Sequence, residues 1–161
     1  MKNAPRSGCP INAAVEALGD RWTMLVLRDI VFGGRRHFRE LQNGSLEGIA
    51  SNILSDRLKR LVNSGLLSHE ATGRGRRSAY RLTDAGIDTI PVMVALGTWG
   101  LAHSAGDPTL RVRAELLRDG GPEAMTDFME ELREEHLGIA LADPGRARIS
   151  DRLAALSRTD H

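Results

Sequence analysis

The sequence predicts a mainly α-helical protein interrupted by one small β-hairpin, and three observations carry the prediction. Apolar residues recur at helical spacing through most of the 161-residue chain. After Gly65 the pattern changes to two short runs, "LLSHEAT" and "SAYRLT", that alternate or carry β-formers and are separated by "GRGRR". Helix breakers stand at Gly19, Gly33-Gly34, Gly65, "DGGP" and "ADPG". With 41% hydrophobic and 27% charged residues, such a chain can bury a core without disulfide or metal staples.

The first helix begins at Pro10, with Cys9 as its N-cap, and stops at Gly19. The second, "RWTMLVLRDIV", places Trp22, Leu25, Val26, Ile30 and Val31 at mostly helical spacing and reads as deeply buried. "HFRELQNG" gives a short third helix with Phe38 and Leu41 apolar, and "SNILSDRLKRLVNSG" a fourth, capped by Ser51 and Gly65. "TDAGIDTIPVMVALGTWGLAHSAGD" predicts one long helix with Pro91 in its first turns or at a kink. Its Ile90, Val94, Leu101 and Trp99 are more apolar than a monomer's surface helix requires. Residues 108–161 add two or three helices, and the carboxylates of "MEELREEHLG" read as a helix's outer face. "ISDRLAAL" echoes "LSDRLKRL" without the basic residues, an echo read as chance.

The fourth helix carries the functional question. Stepping 100° per residue from Leu54, Leu58, Leu61 and Val62 form a core-facing stripe. The opposite half holds Asn52, Ser55, Lys59, Arg60 and Asn63, with Asp56 the one acid among them. A solvated face more often mixes Glu with Lys.

Charge along the chain points the same way. Residues 21–81 hold 12 Lys/Arg against 5 Asp/Glu, whereas residues 107–161 hold 8 against 12. The basic region implies an anionic partner, and nucleic acid is the commonest. No apolar run approaches the roughly 20 residues of a bilayer span, the N-terminus lacks a signal-peptide core, and a lone cysteine fits a cytoplasmic protein with no membrane role. The five histidines show no zinc spacing, Cys9 has no evident base and no catalytic carboxylate pair stands out, so neither enzyme, metal nor cofactor is expected.

Short helix, buried helix, helix, polar-faced helix and basic hairpin together describe a winged helix-turn-helix with additional C-terminal helices. Ser51, Asn52 and Ser55 would bond base edges or phosphates, and Lys59 and Arg60 would neutralise phosphates. Arg35, Arg36 and Arg39, near the third helix's start, and Arg74, Arg76 and Arg77, at the hairpin tip, would be further contacts to double-stranded DNA. The alternative is a winged-helix protein-interaction module, whose wing and reading helix would carry balanced charge.

The run "CPINAAVEALGDRWTMLVLRDIVFGGRRHFRELQNGSLEGIASNILSDRLKRLVNSGLL", followed by "YRLTDAG" and "WG", resembles the HxlR-type winged-helix transcriptional regulators, relatives of the MarR group. The resemblance implies a two-fold homodimer paired through the first helix and the helices after the wing. Its reading helix falls on Ser51 to Asn63 and its wing on Arg74, Arg76 and Arg77. The division expected is a winged domain with its dimerisation helix over residues 9–106, then an acidic helical extension over 107–161 that packs on or extends the dimer interface. In members that sense electrophiles or oxidants, the reactive thiol occupies the place of Cys9, and "GCPI" keeps that pattern. A helix N-terminus stabilises a thiolate, which makes Cys9 a redox-sensing candidate; a small-molecule effector is the other route to regulation.

Overall fold

The computed structural model describes residues 6–70 and 78–156. In chain order these form α1 (Pro10–Leu18), α2 (Arg21–Val31), α3 (Phe38–Asn43), α4 (Ser51–Asn63), β1 (Leu67–Glu70), β2 (Ala79–Leu82), α5 (Asp84–Ile87), α6 (Ile90–His103), α7 (Pro108–Leu137) and α8 (Ile149–Leu156). They gather into two compact units, one running through Gly86 and the other starting at Ile87.

In the first unit α2 supplies Val26, Leu27, Ile30 and Val31 to a core that also takes Leu41, Leu54, Leu58, Leu61, Leu67 and Leu82. Helices α3 and α4 pack on α2, and β1 packs on α4. Each fully buried leucine contributes about 1.5–3 kcal/mol, so the three of α4 hold that helix by one face and leave the other free. The helix ends in a Schellman motif: Leu66 N–H donates to the Leu61 carbonyl, and Gly65 N–H to that of Val62, each at 3.0 Å. Gly65 sits at φ +77, where glycine alone is unstrained. Its start corrects the sequence reading: Ala50 is the N-cap, and Ser51 is the first helical residue and makes no capping bond.

Strands β1 and β2 pair antiparallel, Leu67 opposite Leu82 and His69 opposite Tyr80. The two leucines bury the hairpin's base, and the His69 and Tyr80 rings stack 4.5 Å apart above it. Tyr80 N–H donates to the Arg36 carbonyl (2.8 Å), and His37 Nδ1 donates to the Ser78 carbonyl (2.9 Å), so the segment before α3 runs beside β2. The hairpin tip, with Arg74, Arg76 and Arg77, lies outside the described residues.

Beyond the wing the expected single helix is two. A turn at Asp88-Thr89 separates α5 from α6, and Pro91 falls in the first turn of α6, where its missing N–H costs nothing. The apolar surplus is also re-aimed. Ile90 and Met93 are buried, Val94 and Leu101 are half-buried, and Val92, Leu96 and Trp99 are the exposed members. Contrary to the sequence expectation, Asp84–His103 is long and apolar enough to cross a bilayer by length and composition, although Ile87, Ile90 and Met93 within it are buried in the protein.

In the second unit α6 and α7 pack together, and α8 packs on α7. Asp107 caps α7 through the amides of Thr109 (2.9 Å) and Leu110 (3.3 Å), while Arg111 reaches back to the carbonyls of Leu101 (3.1 Å) and Ser104 (2.9 Å) at the end of α6. Gly121, at φ 64 and ψ −160, breaks the path of α7, and Pro122 starts its second half. The carboxylates of "MEELREEHLG" are not a solvated face. Glu131 is 3% exposed and accepts the amides of Ile149 (2.7 Å) and Ser150 (2.8 Å), which caps α8. Glu130 and Asp127 hold Arg146, and Glu134 holds Arg148, which fastens the loop before α8.

Candidate nucleic-acid interface

The exposed side of α4 presents Ser51, Asn52, Lys59, Arg60 and Asn63, with Ser55 half-buried. This is the polar half that the helical periodicity assigns away from the core. Among the described residues Lys59 has no ion-pair partner. Arg60, 70% exposed, pairs with Asp56 one turn earlier, Nε to Oδ2 at 3.0 Å.

Sequence reasoning missed the anchor beneath this face. Arg57, only 15% exposed, donates from Nε to Asp20 Oδ1 (2.7 Å) and from Nη2 to Asp20 Oδ2 (2.9 Å). Asp20 is also the N-cap of α2 and accepts the amides of Trp22 and Thr23 at 3.0 Å. One carboxylate therefore starts the central helix and fixes α4 to it. Burial raises the Asp20 pKa, but the Thr23 amide and the Arg57 guanidinium outweigh it, leaving the group below the ordinary carboxylate value. An aspartate directly before a helix is a readable cap signal; its second partner, 37 residues away, carries none.

The three arginines near α3 differ in what they meet. Arg39 is exposed. Arg36 is half-buried, and its backbone serves both β2 and the Glu40 carboxylate. The Arg35 guanidinium faces inward, 3.4 Å from Asp29, and lies so close to Gly44 that a Cβ there would fall 2.2 Å from Arg35 Nε. Asp29 is buried and also takes Arg28, which in turn grips Glu47 with two bonds of 2.6 and 2.8 Å. Burial pushes the Asp29 pKa up against the pull of both arginines, while the Arg28 bond draws that of Glu47 down. This network braces the turn between α2 and α3, and as placed Arg35 belongs to it.

Cys9 caps α1 with its backbone and is exposed; no residue of α1 is buried, and Ile11 is 74% and Val15 59% exposed.

A buried central helix, a leucine-anchored helix with a polar outer face and a two-stranded wing define a helix-turn-helix transcriptional regulator. The chain belongs to the HxlR family: the HxlR-like helix-turn-helix family matches residues 17–107. Its members are regulators of transcription, not enzymes. An uncharacterized HTH-type transcriptional regulator of Mycobacterium bovis is 39% identical over 94 residues, and the match covers 58% of each chain, less than two thirds of that relative's length. Among solved structures, PA1607, a candidate transcription factor, superposes with a TM-score of 0.56 at 37% identity, over 64% of this chain and 70% of that one. The reduced form of the regulator YodB from B. subtilis shares the fold, with a TM-score of 0.52 at 24% identity over 63% of this chain and all of that one.

Proposed function

We propose that this regulator binds an inverted-repeat operator as a homodimer in the cytoplasm, with α4 lying in the major groove. The observation that carries the reading is the division of α4: Leu54, Leu58 and Leu61 are buried, and its outer face is amide, hydroxyl and base with Asp56 the one acid. Ser51, Asn52 and Ser55 face base edges in this reading, Lys59 and Arg60 meet phosphates, and Arg36, Arg39 and the wing arginines 74, 76 and 77 contact flanking backbone. Arg35 contributes only by leaving Asp29.

The dimer is supported by apolar side chains without cover in one chain: Ile11 and Val15 on α1, and Val92, Leu96 and Trp99 on α6. A two-fold interface over these helices sets two reading helices about 34–36 Å apart, one turn of DNA. Residues 107–161 extend that interface through α7, which packs on α6. Cys9 lies on α1, exposed at its start, so an electrophile or oxidant that modifies it alters the same interface; a small effector between subunits is the competing input.

Binding of labelled genomic fragments under nonspecific competitor tests the reading. Retention of a few fragments sharing an inverted repeat is the expected result, and uniform or absent retention would overturn it. Treatment with a quinone before binding, with Cys9→Ser alongside, tests the sensing: release confined to the wild type is expected, and equal insensitivity refutes it.

A further inference from the structure

The placement of the acid on the reading face goes beyond the assignment of that face to DNA and rests on that assignment. We propose that Asp56 is a specificity-determining residue, which holds Arg60 back from indiscriminate phosphate contact. Three observations combine. Asp56 and Arg60 lie one turn apart on the exposed side of α4, with Nε and Oδ2 3.0 Å apart. The same Oδ2 accepts Arg57 Nη1, at 2.5 Å. Arg57 is already gripped by both oxygens of Asp20 and is nearly buried, so it cannot swing out to DNA. Of the two arginines that Asp56 holds, Arg60 is therefore the one that can be exchanged.

The chemistry follows from charge. A phosphate of any sequence must displace Asp56 from Arg60 and also approach the carboxylate itself, and both steps weaken backbone contact on random DNA. On the operator, base contacts from the neighbouring Asn52 and Ser55 seat α4 in one register, in which Arg60 passes from Asp56 to a phosphate, whereas on random DNA no register is fixed and the pair holds. An exposed pair at this spacing is weak enough to be broken on binding and strong enough to discriminate.

Fluorescence anisotropy with an operator duplex and a random duplex, over a range of salt, tests this in the wild type, Asp56→Asn, Arg60→Ala and the double variant. Asp56 is more than half exposed, and a thermal melt checks that each variant stays folded. For Asp56→Asn, affinity for random DNA rises about two- to fivefold. On the random duplex the slope of log K against log salt steepens by about 0.9 per subunit, on the operator it changes little, and the operator-to-random ratio falls. With Arg60→Ala in place, Asp56→Asn changes the slope by less than half as much. The same steepening with and without Arg60 means that net charge alone acts and overturns the proposal, as does an unchanged ratio. A wild type that binds neither duplex overturns the regulator reading itself, and the proposal with it.

Discussion

Helices α4 and α8 carry nearly the same eight residues, "LSDRLKRL" at 54–61 and "ISDRLAAL" at 149–156, and the structure uses them differently. Both bury the same register, Leu54 and Leu58 in one, Ile149 and Leu153 in the other. The α8 N-terminus is closed by a buried carboxylate, Glu131, whereas α4 starts with no side-chain cap. In α4 the arginine of the motif is tied to Asp20; in α8 its counterpart, Arg152, is exposed. Apolar periodicity therefore decides that a segment is a helix and which side it buries. The few residues outside that stripe decide what the other side meets: Asp20 holds Arg57 of α4, while Arg152 of α8 is left exposed.

The comparison is broken most severely at the shared leucine. Leu58→Ala and Leu153→Ala should each cost about 2–5 kcal/mol, read from urea midpoints, because both remove a buried side chain. A negligible cost at Leu153 would show that α8 is not packed as α4 is. Next come the caps. Glu131→Ala should cost about 1–3 kcal/mol and speed hydrogen exchange at the Ile149 and Ser150 amides, whereas Ser51→Ala should stay within about 0.5 kcal/mol.

The recognition difference is sharpened by exchange of residues. Lys59→Ala with Arg60→Ala should lower the salt slope of operator binding by up to about 1.8 per subunit. Grafting the same charges onto α8, as Ala154→Lys with Ala155→Arg, should leave operator affinity within about twofold, since added charge alone supplies no groove-fitting helix. The smallest effect expected is in acid. Asp20 has a folded pKa below its ordinary 3.8, so its contribution is present above 3.8 and is lost as pH falls through the folded value. Asp20→Asn should therefore flatten the acid limb of a stability-against-pH curve and leave the neutral-to-alkaline limb unchanged in shape.

The element order of the winged fold was legible because each element has its own period and its own breaker. Gly65, Pro10 and the Gly-Gly-Pro break in α7 all fall where local backbone rules place them. The polar half of α4 was equally legible, since it is the complement of a leucine stripe. Contacts between distant positions were not. Asp20 with Arg57, and Glu131 with the α8 amides, leave no local pattern, because a carboxylate looks the same whether it faces water or a buried amide. The same lack of signal turned "MEELREEHLG" into an outer face, and the turn at Asp88-Thr89 escaped notice because the periodicity runs across it.

The position of Trp99 has an optical consequence. The chain has two tryptophans, and Trp99 is 66% exposed on α6, 4.7 Å from the His103 ring, while Trp22 is half-buried with the Arg21 guanidinium 4.9 Å above it. In a Trp22→Phe variant the emission comes from α6 alone. A water-facing indole emits at long wavelength, so the spectrum of this variant reports whether α6 is covered. If subunits close over α6, the emission moves to shorter wavelength as protein concentration rises. A single unlabelled side chain then reports assembly.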